Sequence, residues 1–175
     1  DFAPDVVALQ ETKLEDSRFP DAALAELGYR SVFCGQKTYN GVALLSRLPF
    51  TSECVTAIPG FDDPQKRVLA ATIGAPGSTD PAQAIRIVDL YVVNGEAVGS
   101  EKFEYKLRWL AALREWLREE MRQHPNLVVL GGTLSGCRDD AGDIDALSAR
   151  ILARGRRGLH FAGRQGLSEG DRAVE

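Results

Sequence analysis

One stretch constrains the fold of this chain more than any other. Residues 85–93 are strongly β-branched and read as a central strand. Residues 102–121 form the clearest helical pattern in the sequence. Phe103, Leu107, Leu110, Leu113, Leu117 and Met121 are assigned to one apolar stripe of that helix. Pro125 lies beyond its end, and residues 127–130 form another apolar run read as a buried strand. A strand, a long helix and a second strand in this order make the two strands parallel, joined by a right-handed crossover.

The segment before this unit consists of shorter pieces. Val6-Val7-Ala8-Leu9 is a buried strand that ends abruptly in the polar cluster Gln10-Glu11-Thr12-Lys13. Residues 20–27 read as one short helix, with Pro near its start and Gly28 just past its end. Residues 29–34 and 42–46 read as strands around a turn that contains Asn40-Gly41. Further strands are expected at 52–58 and 67–73, with the loop 59–64 between them. Many short strands followed by a strand–helix–strand unit imply an α+β sheet protein.

The 175 residues, 44% of them apolar, suffice for one domain with a real core. After Gly136 the character changes: every later basic residue is Arg, and glycine is frequent. We therefore divide the chain into a domain at 1–136 and an Arg/Gly-rich tail at 137–175. A helix is expected at 143–153, and little packed structure over 155–175. No run approaches transmembrane length, so no membrane partner is expected. Cys34, Cys54 and Cys137 lack zinc-site spacing and read as reduced thiols of a monomeric cytoplasmic protein. The first residues, Asp1-Phe2-Ala3-Pro4, contain no Met, so the chain is expected to begin inside a longer reading frame. The net charge of −4 makes the whole protein a poor polyanion binder. A local basic stripe with a bound metal could still supply the field at a site.

Chemistry concentrates in three ordered blocks. The first is residues 4–13, which place the Glu11 carboxylate where a buried strand leaves its sheet. A hard cation needs oxygen ligands at a rigid position, and a strand end provides one. The same block style continues through Leu27-Gly28-Tyr29, Gly35-Gln36-Lys37 and Asn40-Gly41-Val42-Ala43-Leu44-Leu45-Ser46. The second block runs from Asp89-Leu90-Tyr91-Val92-Val93-Asn94-Gly95 through Gly99-Ser100-Glu101-Lys102-Phe103 to Tyr105-Lys106-Leu107 and Trp109-Leu110. The third is Asn126-Leu127-Val128-Val129-Leu130-Gly131-Gly132, followed by Thr133-Leu134-Ser135.

This ordered string resembles the exonuclease III (AP endonuclease) family of the endonuclease/exonuclease/phosphatase superfamily. The family has Leu-Gln-Glu-Thr-Lys in the first block and Tyr-Val-Pro-Asn-Gly in the second, where Val93 replaces the Pro. The resemblance covers about the first three-quarters of the chain, equivalent to half of a full family member. It implies part of a four-layer α/β-sandwich, with mixed β-sheets packed face to face and helices outside. It implies Mg-dependent phosphodiester hydrolysis in double-stranded DNA, at 3′ ends or abasic sites, with manganese as a substitute metal. By the same resemblance, Glu11 is a metal ligand, Tyr91 contacts the scissile phosphate, Asn94 lies by the DNA backbone, and Arg67 and Lys102 contact DNA.

The third block departs from the family. Its Asp and Asn positions hold Thr133 and Ser135. A Thr hydroxyl cannot serve as general base near neutral pH, and such a base contributes about 10²–10⁴-fold. Ser offers one hydroxyl where Asn offers an amide, and losing an electrostatic donor costs about 10²–10³-fold. The family's upstream metal-site Asn and its final Ser-Asp-His are also absent; Asp143 and Asp145 lie in the wrong context. His124 and His160 read as capping or surface residues. Little or no turnover is expected. The alternative is a non-catalytic remnant that binds nucleic acid or protein through Lys13, Lys37, Lys66, Arg67 and Lys102.

Overall fold

The computed structural model describes residues 4–132 and 161–164. Among the described residues, seven strands form two sheets. The first sheet contains β1 (Val6–Gln10), β2 (Arg30–Cys34), β3 (Val42–Ser46) and β7 (Phe161–Arg164), in the order β2-β3-β1-β7. The second contains β4 (Val68–Ile73), β5 (Ile85–Tyr91) and β6 (Leu127–Gly132), in that order. Both are mixed: β1 is antiparallel to β3 and parallel to β7, while β5 is antiparallel to β4 and parallel to β6. The expected parallel pair around the long helix is therefore present.

The pleat sorts side chains between two cores. Leu69, Ala71, Ile73, Ile85 and Ile87 face the first sheet and meet Val6, Ala8, Val42 and Leu44. Their alternates Val68, Ala70, Val88 and Leu90 meet Trp109, Leu113 and Trp116 of helix α2 (Glu101–Gln123). The second sheet is covered on both faces, so its strands read as nearly continuous apolar runs. The short helix α1 (Asp21–Glu26) lies against β2. The expected α+β arrangement of face-to-face sheets with flanking helices is observed.

Helix α2 starts where Ser100 Oγ accepts the Phe103 amide at 3.1 Å, satisfying one of the otherwise orphaned first-turn donors. Its buried face corrects the sequence expectation. Lys106, Trp109, Leu113, Trp116 and Glu120 point inward, whereas Leu107 is 38% and Met121 65% exposed. Leu113 is buried and Leu110 and Leu117 are partly buried against the same core, so the expected stripe borders the buried face, whose centre lies one residue, about 100°, around the helix. Two tryptophans seven residues apart outweigh the smaller side chains, because each buries about 150–250 Å².

Two further differences concern strands. Residues 52–58 do not form one; Val55 alone bridges Ala70, with amide bonds of 2.9 and 2.7 Å. Residues 51–54 are exposed, so this segment has no continuous face to bury. Conversely, Phe161–Arg164 adds a strand beside β1, where little packed structure was expected. A backbone ladder needs no particular side chains, so composition gave no signal for it. The helix expected at 143–153 and Cys137 lie outside the described residues. Cys34 is buried, Cys54 is exposed, and both are free thiols. Among the described residues no helix is long and apolar enough to cross a membrane.

Candidate functional site

Strands β1 and β5 end on the same side of the sandwich, and the functional residues extend from those ends. Beyond Gln10 the backbone turns sharply. Glu11 and Lys13 have φ of 58° and 57°, and Asn40 in the facing loop has 56°. Left-handed conformations at non-glycine residues cost on the order of 1–3 kcal/mol each and concentrate at functional sites. They are held here by backbone bonds, from Thr12 N to Gly41 O at 3.2 Å and from Lys13 N to Asn40 O at 2.9 Å. Gly41 is required at this crossing: φ is 92°, and a Cβ there would sit 2.2 Å from Thr12 Oγ1. Its amide donates to Lys66 O at 2.8 Å, which ties in the loop leading to β4.

The result is a cleft of about 380 Å³ lined by Glu11, Gln36, Tyr39, Asn40, Gln65, Arg67 and Tyr91. The Arg67 guanidinium lies 4.7 Å from the Tyr91 ring centroid. Arg67 Nε donates to Gln65 Oε1 at 2.8 Å and Nη1 to Tyr91 O at 3.3 Å. These acceptors are uncharged, and among the described residues no ion pair neutralises Arg67. Its charge remains available to an anion. Asn40 is buried and donates to Gln36 Oε1 at 3.0 Å. Gln36 Oε1 also accepts the Lys66 amide at 2.8 Å. The loop before β4 is pinned to α2, because Tyr105 Oη donates to Asp63 Oδ2 at 2.6 Å and Gln65 N donates to Asp63 Oδ1 at 2.9 Å.

Burial, followed by the charge of the Glu11 carboxylate, pushes the Tyr91 phenol above its ordinary value, while Arg67 pulls it the other way. Tyr91 is therefore a neutral hydrogen-bond donor at neutral pH. Glu11 also pairs with Lys13 at 3.2 Å. Directly beneath the cleft, Gln10 Nε2 donates to Asp89 Oδ1. Asp89 is fully buried, and burial raises its carboxyl well above the usual carboxylate range.

Glu11, Arg67 and Tyr91 are thus brought together. Asn94 and Lys102 are placed elsewhere. Asn94 is exposed and its Oδ1 accepts the Glu96 amide at 2.9 Å. Lys102 pairs with Glu96 at 3.2 Å, both exposed. Thr133, Ser135, Asp143, Asp145 and His160 lie outside the described residues. Gly132, the last described residue of β6, is in register with Tyr91 beside the cleft. His124 caps α2 and lies 3.6 Å from Glu120. Sequence reasoning gave no role to Tyr39, Asn40, Gln36 or Gln65; the Asn40-Gly41 turn beside the Glu11 block was the available signal.

The donor set is hard oxygen, which suits magnesium and not a soft metal. Among the described residues no group of three or more His, Cys, Asp or Glu could hold an ion. Glu11 fits as a single protein ligand of the kind magnesium accepts alongside water and substrate phosphates.

Comparisons with known proteins agree with this fold. The pattern of the Endonuclease/Exonuclease/phosphatase family matches residues 1–143. The chain is 30% identical over 135 residues to the exodeoxyribonuclease III of Haemophilus influenzae, covering 74% of this chain and 47% of that protein. A Neisseria structure, the 3′ phosphatase NExo bound to a product DNA hairpin, is 46% identical with a TM-score of 0.67. The match covers 75% of this chain and 48% of that one. An AP endonuclease from Archaeoglobus fulgidus is 31% identical with a TM-score of 0.62, covering 73% and 46%. The chain spans about half the length of these relatives.

Proposed function

The chain belongs to the endonuclease/exonuclease/phosphatase family, and from that premise we propose that it is a DNA-directed member of the exonuclease III or AP endonuclease type with little or no turnover of its own. The observation that carries this reading is the single cleft shared by Glu11, Arg67 and Tyr91. A phosphodiester needs what this cleft offers. Arg67, unneutralised and braced by Gln65 and the Tyr91 ring, is preorganised to bind a phosphate oxygen. The Tyr91 hydroxyl donates to a second oxygen. Glu11 supplies the carboxylate oxygen for a magnesium ion, which when bound neutralises charge on the phosphate. Thr133 stands where the family has its Asp, and its hydroxyl cannot take a proton from water. The DNA-binding half of the chemistry is therefore present and the proton-accepting half is not.

The Neisseria protein's DNA hairpin and the exodeoxyribonuclease and AP endonuclease relatives support double-stranded DNA with 3′ ends or abasic sites as the ligand. We place the protein in the cytoplasm as a monomer. The test is an abasic-site duplex incubated with the chain and magnesium, alongside binding titrations over a range of salt. The expected result is salt-dependent binding with negligible cleavage, and for Arg67→Ala a log–log salt slope reduced by about 0.9. Robust cleavage lost in Glu11→Ala would show that Thr133 and Ser135 do not disable the site. Absence of binding at low salt would remove the DNA reading altogether.

A further inference from the structure

Glu11 and Tyr91 meet in one cleft, yet they extend from strands of different sheets. One residue before Glu11, Gln10 is buried at 8% exposure; two residues before Tyr91, Asp89 is completely buried. Their side chains bond to each other across the layer between the sheets. That layer is otherwise built from apolar residues such as Val6, Ala8, Val42, Leu44, Leu69 and Ile87. Asp89 Oδ2 has no partner. An unmet buried polar group costs about 1–3 kcal/mol, and two matched apolar side chains would fill the same space without that cost. Stability alone does not explain this pair.

We propose that Gln10 and Asp89 are positioning residues, a hydrogen-bonded crosslink between the sheets that fixes Glu11 relative to Tyr91 and Arg67. Apolar contact between sheets is non-directional and leaves their relative slide weakly specified, whereas a hydrogen bond tolerates only a narrow geometry. The crosslink lies at the last residue of β1, immediately before the backbone turns left-handed at Glu11. Holding Gln10 fixes the point from which Glu11 departs. The Thr12 and Lys13 amide bonds to the Asn40-Gly41 loop then complete the turn. Burial favours the protonated form of Asp89, which suits this role because that form places no second negative charge beneath Glu11. The functional half of this proposal rests on Glu11 as a cation ligand; the positioning half does not.

The experiment compares the native chain with the double variant Gln10→Leu/Asp89→Leu, with Asp89→Asn and with Gln10→Met. Three quantities are read: the unfolding midpoint, hydrogen exchange at the Thr12 and Lys13 amides against Val88 and Leu44, and affinity for Mn²⁺ alone by calorimetry. The double variant removes both polar groups together and is expected to unfold at or above the native midpoint. It should nevertheless exchange Thr12 and Lys13 about tenfold faster, with Val88 and Leu44 unchanged, and bind Mn²⁺ about tenfold more weakly. Asp89→Asn retains the acceptor for Gln10 and should keep native values of both. Gln10→Met, which conserves volume, should show the same local loss and decides the matter if the double variant does not fold. Native exchange and native Mn²⁺ affinity in the double variant would overturn the proposal, because the pair would then be packing only. Equal Mn²⁺ binding by native and Glu11→Gln chains would defeat the cation reading, while the exchange rates would still decide the positioning role.

Discussion

Asp89 and Glu120 are both buried carboxylic acids, and the second sheet separates them. Asp89 faces the first sheet, receives one hydrogen bond from Gln10, and has an oxygen with no partner. Glu120 faces β5 from α2. It accepts from Arg86 Nε at 2.7 Å, Arg86 Nη2 at 3.3 Å and Trp116 Nε1 at 3.1 Å. A carboxylate withdrawn from water must be paired or must keep its proton. Glu120 is paired, and it fastens the helix to the sheet. Asp89 has only neutral partners, the Gln10 amide and the Leu90 backbone, and burial, the largest influence, favours its protonated form. Two acids at similar depth thus have different partners: a guanidinium faces Glu120, whereas Asp89 faces an amide and burial favours its protonated form.

Breaking the paired side should have the largest effect. Glu120→Ala leaves Arg86, only 5% exposed, without its counter-charge. The unfolding free energy from urea titration should fall by about 3–5 kcal/mol. A loss no larger than that of a surface substitution would mean that water reaches Arg86. Next comes Asp89→Asn, read against pH. The folded value of Asp89 lies above its unfolded value, so the folded chain binds this proton more tightly. Its contribution is complete below the unfolded value of about 3.9 and is lost as pH rises through the folded value, at about 1.4 kcal/mol per pH unit. Asp89→Asn should remove that slope and gain on the native chain as pH rises above about 4. Parallel stability curves would show that Asp89 is ionised.

The charge pair itself contributes less than either half removed alone. Replacing it outright, as Arg86→Met/Glu120→Leu, should recover most of the loss and bring the midpoint near the native value. The smallest effect belongs to a neighbouring carboxylate in water. Glu119 pairs with Arg122 at 2.7 Å, but both side chains are substantially exposed. Glu119→Gln should leave the thermal midpoint within its error, since exposed pairs of this kind contribute little. A clear drop would show that proximity counts for more than burial in this helix.

Much of the fold was legible where a side-chain period matched an element. The apolar run Val6-Val7-Ala8-Leu9 and the apolar runs of β4, β5 and β6 gave the strands. Residues 52–58 misled, because β-branched content signals a strand only if a face is buried. The α2 stripe misled by one residue, because counting apolar positions ignores the size of Trp109 and Trp116. Glu11 and Tyr91 were legible through the ordered blocks and Arg67 through the family resemblance alone, and the three do share a cleft. Asn94 and Lys102 stood in the same blocks but face a different turn. Tyr39 and Gln65 were not legible, since their roles depend on which loops face each other.

By itself the sequence determined most of the local elements, the family and the identity of the groups proposed to hold a phosphate and a cation. These follow from side-chain chemistry and short-range periodicity, which chain order preserves. Only the tertiary structure decided which groups act together. Gln10 and Asp89 are 79 residues apart in the chain, and Arg86 and Glu120 are 34 apart. In each pair, the short distance and the loss of water exist only once the layers have packed.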